Sequence, residues 1–203
     1  MIGVPDREAS MVASRQKPLT IFTVGHSTRP IEELIALLRA NGVKQLIDIR
    51  TIPKSRRNPQ FSSEALAASL AEAGIEYGHM KALGGLRHPR KDSVNLGWRN
   101  ESFRGYADYM QTPEFNTALE AAMRLAERKP TTLMCAEAVP WRCHRSLVSD
   151  ALLTRGVDVL EIVGKAPPKR HTLTPFARVD GTKVTYPKPG MADQLPLMNK
   201  AEN

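Results

Sequence analysis

The chain has 203 residues, 41% of them hydrophobic and 25% charged, which is enough for one domain with a substantial core and short for two. No apolar run approaches the roughly 20 residues needed to cross a bilayer, and Met1-Ile-Gly-Val-Pro-Asp-Arg-Glu8 lacks the basic stretch and apolar core of a secretory signal. A cytoplasmic location with no membrane partner is therefore expected, with both cysteines reduced.

The formal charge of +8 points weakly towards polyanions, because Arg7, Arg15, Lys17, Lys188 and Lys200 fall in expected tails. Aromatic residues are 5% of the chain, too few for an extended base-stacking platform. Two cysteines cannot by themselves supply a four-cysteine zinc or iron–sulfur site.

Residues 1–18 are polar and without periodicity, and are expected to be a disordered lead-in. From Leu19 strand and helix alternate. Thr20-Ile-Phe-Thr-Val24 is a β-rich run that ends at Gly25-His26-Ser27-Thr28. Pro30 opens a helix with Ile31, Leu34, Ile35 and Leu38 on one face, and Asn41-Gly42 closes it. The second strand runs from Val43 to Ile49 and contains Asp48, with Arg50 immediately after it. A basic loop broken by two prolines, Thr51 to Gln60, follows. Ser62 is the expected N-cap of the next helix, with Phe61 and Leu66 as a hydrophobic staple and Gly74 as its stop.

Ile75 to Met80 is a third, weaker strand, followed by an irregular excursion from Leu83 to Gly97 that contains Gly84, Gly85 and Arg87. Phe103, Tyr106, Tyr109 and Met110 mark a helix, and Thr112-Pro113 caps another that carries Phe115, Leu119, Ala122, Met123 and Ala126. Thr131 to Cys135 is the fourth strand. A helix follows with Leu147, Val148, Ala151 and Leu152 on one face, and then a fifth strand from Val157 to Val163. Ala177 to Tyr186 predicts a small hairpin on an Asp180-Gly181 turn, and residues 188–203 a disordered tail. The expected fold is α/β: a single three-layer domain over 19–187, with a mostly parallel sheet flanked by helices and a small C-terminal hairpin.

Ligands of such sheets sit beyond the carboxyl ends of the strands. Four strand ends here carry unusual polar groups: His26 and Ser27, Asp48 and Arg50, Gly84 and Gly85, then Cys135 and Glu137. The densest stretch is Cys135-Ala-Glu-Ala-Val-Pro-Trp-Arg-Cys-His-Arg145, which leads into a helix N-terminus. Unpaired N–H groups there receive anions and lower the pKa of nearby thiols, and Arg142 and Arg145 add positive charge. Cys143 reads as a packing residue at the helix start. Cys135, Cys143 and His144, with His26 as a fourth ligand, offer donors for zinc, but their spacing is not that of a closed site and two arginines stand beside them. No metal and no cofactor is expected.

Gly25-His26-Ser27, Asp48-Ile-Arg50, Leu83-Gly84-Gly85, Cys135-Ala-Glu137 and Cys143-His144-Arg145, with Pro175 to Gly181 and Tyr186-Pro187, together resemble the bacterial family called domain of unknown function 488. The resemblance spans roughly residues 20–187 and implies a single α/β domain but no activity. The layout is also similar to that of tyrosine phosphatases and rhodaneses, with a strand-end cysteine before an anion-binding loop and helix. The position of the phosphatase arginine is Trp141 here, Arg142 comes one residue late, and Glu137 would repel a phosphate dianion.

The expected function is an enzyme with an anion-binding pocket for a phosphorylated, nucleotide or nucleic-acid substrate. Arg50, Arg142, Arg145, Ser27, Gly84 and Gly85 form the anion site. Cys135 acts as nucleophile or sulfur carrier, His26 or His144 moves a proton, and Glu137 orients one of them. A second version uses Asp48, Glu137 and a histidine for acid–base hydrolysis, with structural cysteines. The alternative class is a non-catalytic nucleic-acid-binding or repair-associated module, based on Lys54, Arg56, Arg57, Arg87, His88, Arg90 and Lys91. A thiol-oxidation sensor would require the two cysteines to approach one another.

Overall fold

The five β-rich runs become strands β1 (Thr20–Gly25), β2 (Gln45–Asp48), β3 (Glu76–His79), β4 (Thr131–Cys135) and β5 (Asp158–Ile162). Between them lie helices α1 (Ile31–Ala40), α2 (Ser63–Glu72), α3 (Glu101–Tyr109), α4 (Pro113–Arg128) and α5 (Arg145–Leu153). This computed structural model describes residues 18–188 and residue 190. The expected lead-in up to residue 17, and the expected tail at 189 and from 191 onward, lie outside the described residues.

The sheet has six strands in the order β3-β2-β4-β1-β5-β6, and the first five run parallel. The sequence pattern did not reveal β6 (Lys169–Arg170), a two-residue strand that pairs antiparallel with β5. It is too short to carry a periodicity. A separate hairpin joins β7 (Arg178–Asp180) to β8 (Lys183–Thr185). Its loop is Gly181-Thr182, one residue later than expected, because Asp180 pairs with Lys183 and Gly181 takes the positive φ of 57°.

Period-two alternation divides the strand residues between two cores. Val24, Leu46 and Met134 face α1 and α2 with Leu34, Leu38, Leu66 and Phe61. Ile21, Ile47 and Leu133 face the other side with Tyr106, Leu119 and Leu147 of α3, α4 and α5. Phe61 and Leu66 bury in one cluster, as a staple requires, although the Ser62 side chain makes no capping bond. Asn100 and Thr112 cap α3 and α4 by accepting backbone N–H groups. Among the described residues no helix is long and apolar enough to cross a membrane.

Strand order determines where the ends of the strands leave room. The connections from β1 to β2 and from β2 to β3 travel one way across the sheet, with α1 and α2 on one face. Those from β3 to β4 and from β4 to β5 travel back, with α3, α4 and α5 on the other. β4 lies between β1 and β2, and its outgoing chain leaves on the opposite face from theirs. The carboxyl ends of β1, β4 and β2 therefore diverge around a crevice.

Buried carboxylates anchor the irregular parts. Asp108 of α3 accepts from Ser93, Asn95 and the Arg90 N–H, and so holds the excursion down without a strand. Asp150 of α5 accepts from Tyr186 Oη at 2.8 Å and from His171 at 2.9 Å, and Glu161 approaches the other His171 nitrogen at 2.7 Å. Burial by itself would lower the His171 pKa, but hydrogen bonds to the two carboxylates, with their charges, outweigh it and raise the value from 6.5 to about 9. The folded pKa is the higher one, so this stabilisation is complete below 6.5 and is lost as pH rises through about 9. Stability measured by denaturant titration should fall between these two pH values. His171→Gln should cost about 3 kcal/mol at pH 6 and flatten that dependence.

Candidate functional site

The register of β1 against β4 places Gly25 opposite Cys135. Beyond the strands the two chains stay paired: His26 N–H donates to Cys135 O at 3.0 Å and Ser27 N–H to Ala136 O at 2.9 Å. This close passage depends on glycine, because a Cβ at position 25 would lie 1.8 Å from the Glu137 carbonyl oxygen. Arg145, the largest fully buried side chain, fixes the same loop from below. It donates to Val24 O at 2.8 Å and to Glu137 O at 3.1 Å.

Above this floor a cavity of about 690 Å³ opens in the crevice. His26, Ser27, Arg50, Gly85, Cys135, Glu137, Arg142 and His144 line it, together with Cys143, Thr51, Lys54 and Phe103. Asp48, Arg145 and Gly84 do not. Asp48 lies behind Arg50, Arg145 lies beneath the loop, and Gly84 is pressed against Thr51, whose Oγ1 would be 2.6 Å from an added Cβ. Gly85 leaves room for the His144 ring, which would stand 2.9 Å from its Cβ.

Asp48 and Arg50 form a buried ion pair, with Arg50 Nε 2.9 Å from one carboxylate oxygen and Nη2 2.5 Å from the other. Tyr77 Oη also donates to Asp48, at 3.1 Å. The remaining guanidinium N–H groups reach Phe61 O at 2.8 Å and His26 Nε2 at 3.2 Å. A guanidinium only donates and a carbonyl only accepts. His26 Nε2 is therefore unprotonated, while Nδ1 carries the proton donated to Ser27 O at 2.8 Å. Burial first, then the Arg50 charge, lowers the His26 pKa to about 4, so the ring is neutral near pH 7 with both nitrogens engaged.

His144 is placed differently. Its Nε2 donates to Ile49 O at 3.2 Å, which leaves Nδ1 facing Cys135 Sγ at 3.9 Å and Cys143 Sγ at 3.8 Å. The three ligand atoms lie within 4.8 Å of one another. Cys143 also accepts the Arg145 N–H at 3.4 Å, at the start of α5. The neighbouring Cys143 thiol, and then burial, raise the Cys135 pKa, and the Cys135 thiol lowers that of Cys143. Of the two sulfurs, Cys143 is therefore the easier to ionise. Cys143 is buried in the core, as expected of a packing residue, and its sulfur also faces the cavity at the start of α5.

The family described as Domain of unknown function DUF488 matches residues 30–152, more than half of the chain. The chain belongs to this family. No curated protein and no solved structure matches it. The matched residues include Asp48, Arg50, Gly84, Gly85 and the whole Cys135–Arg145 block, whereas Gly25-His26-Ser27 and the Pro175–Pro187 segment lie outside them. The DUF488 description states no activity. This arrangement brings together two neighbouring sulfurs, an imidazole with a lone pair directed at them, an exposed carboxylate at Glu137 and exposed cations at Arg142 and Lys54.

Gly25→Ala should destabilise the fold by about 3 kcal/mol, because the clash is with backbone and no rotamer relieves it. A thermal melt measures the loss. Faster labelling of Cys135 and Cys143 by a thiol reagent would report the displaced loop.

Proposed function

We propose that this DUF488 protein is an enzyme that acts on an anionic substrate in this cavity, with Cys135, Cys143 and His144 as its reactive centre. The substrate class is a phosphorylated small molecule, a nucleotide or a nucleic-acid fragment. The observation that carries the reading is His144 Nδ1, held between two sulfurs at 3.9 and 3.8 Å while its other nitrogen is fixed on a backbone carbonyl, on the wall of a cavity of about 690 Å³.

Arg142 and Lys54 are the exposed cations on the cavity wall, and they receive the anion. Ser27 adds a hydroxyl beside them. Glu137, which forms no ion pair among the described residues, is the proton-transfer group, and His144 serves the sulfurs. Asp48, Arg50, His26, Gly84, Gly85 and Arg145 act by positioning: Asp48, Arg50 and His26 are engaged within the protein, the Arg145 Nη groups hold loop carbonyls, and the glycines' small size admits a neighbour.

The test begins with binding. Phosphorylated small molecules, nucleotides and short oligonucleotides are titrated by calorimetry at low and physiological salt. Trp141, exposed beside Arg142, provides a second, fluorescent readout. A charged hydrogen bond contributes about 1.5–3 kcal/mol, so Arg142→Ala should weaken binding by about tenfold or more. With a turned-over ligand in hand, Cys143→Ala and Cys135→Ala should each lower kcat by about a hundredfold or more. Binding that ignores Arg142 and Lys54, or full turnover without both sulfurs, overturns the proposal. Steeply salt-dependent oligonucleotide binding with no turnover of any ligand would replace it with the non-catalytic reading.

A further inference from the structure

Two thiols and one imidazole around a common point are also a ligand set. We infer that Cys135 Sγ, Cys143 Sγ and His144 Nδ1 hold a thiophilic metal ion, zinc by the nature of the ligands, with a fourth position open to the cavity. The inference rests on reading the cavity as the substrate site, and it replaces sulfur as nucleophile with sulfur as ligand.

Distances come first. Zinc–sulfur bonds of about 2.3 Å and zinc–nitrogen bonds of about 2.0 Å, set at a tetrahedral angle, place nitrogen and sulfur roughly 3.5 Å apart. Here His144 Nδ1 stands 3.9 and 3.8 Å from the two sulfurs, so contraction of a few tenths of an ångström brings both to that distance. The third edge, sulfur to sulfur, lies within 4.8 Å, and the ion would draw the two sulfurs together as it binds. The near equality of the two nitrogen–sulfur distances matters. A hydrogen bond to one thiol would draw the ring towards that sulfur, whereas an ion between the three atoms calls for a ring directed at both.

The surroundings are those of a ligated imidazole and thiolate. A metal-bound histidine normally donates its other N–H to a carbonyl or carboxylate, and His144 Nε2 donates to Ile49 O at 3.2 Å. The Arg145 N–H on Cys143 Sγ, at 3.4 Å, stabilises a sulfur that has lost its proton. All three residues line the cavity, and so does Glu137, an exposed carboxylate outside the ligand set. Three protein ligands plus an open position beside an acid–base group is the plan of a catalytic zinc site.

Two objections from the sequence lose their force. The spacing was judged against a closed four-ligand site, which an open site does not need. The candidate fourth ligand, His26, has Nε2 turned to Arg50 and takes no part. The arginines do not repel the ion as they would in a neutral cage. Two thiols that release their protons on binding bring two negative charges, which cancel those of a divalent ion. The Arg145 guanidinium is turned to the Val24 and Glu137 carbonyls, and Arg142 is exposed.

Cobalt(II) titration of the metal-stripped full chain tests this without any variant. Sulfur-to-cobalt charge-transfer absorption saturating at one ion per chain, and bleached by zinc, is the expected result. Cys135→Ser and Cys143→Ser should each weaken zinc binding, measured against a chromophoric chelator, by more than the roughly 10–100-fold that follows loss of an outer partner. Arg142→Ala should leave metal affinity unchanged while it weakens anion binding, which separates failure of the metal site from failure of the substrate reading. No sulfur–cobalt band, or a band that survives loss of both cysteines, overturns the inference. Turnover by metal-free protein that is abolished by thiol alkylation would return the chemistry to the sulfur itself.

Discussion

Beyond β1 and β4 the two chains continue side by side, and this continuation fixes the position of everything in the cavity. Three features hold it. Gly25 offers no side chain where the Glu137 carbonyl passes, two backbone bonds extend the ladder past the strand ends, and the Arg145 guanidinium gathers carbonyls from both chains. A buried guanidinium is costly unless its N–H groups are bonded. Removing Arg145 would leave those carbonyls without their donor and release the loop that carries Cys135 into the turn before α5.

A second layer of order comes from how charge is divided between interior and surface. Arg50 and Arg145 are buried and directed at protein acceptors, while Arg142 and Lys54 are exposed on the cavity wall. The histidines divide in the same way. His26 stacks on Phe61 with ring centroids 4.2 Å apart and has both nitrogens occupied, whereas His144 keeps one lone pair directed at sulfur. Burial alone does not separate these roles. The deciding observation is the partner at each polar atom.

Much of the fold was legible because it follows from periodicity. Short continuous apolar runs in β1, β2 and β4 specified strands covered on both faces, and the capping residue Thr112 stands where α4 begins. Two-residue β6 has no period to detect, and the hairpin loop moved by one residue because strand pairing decided whether Asp180 belonged to it. Around the site, the sequence correctly indicated which strand ends meet, since an open parallel sheet collects its carboxyl ends along one edge. It could not tell Arg142 from Arg145. Both flank the Cys143-His144 pair, and only the path of the loop directs one guanidinium inward and the other to solvent. Cys143 packs in the core as read, but a small apolar thiol at a helix start packs equally well whether or not a second sulfur stands opposite, so the pairing with Cys135 was not legible.

The three groups at the centre come from elements held at both ends, and this governs how accurately they can be placed. Cys135 is the last residue of β4, a strand paired on both sides, while Cys143 and His144 immediately precede α5, whose residues Arg145 to Leu152 are all buried. Neither segment can move without breaking sheet pairing or uncovering core. The chain between them has conformational freedom of its own, but its first turn is fixed by Arg145, and Pro140 restricts it as the first residue of a short 3-10 turn. A constellation supported by strand and helix loses little freedom when it takes up a ligand, because most of its ordering cost was met in folding. Such preorganisation explains how a cavity otherwise lined by exposed loop residues such as Lys54 and Leu86 can rest on a wall fixed by strand and helix.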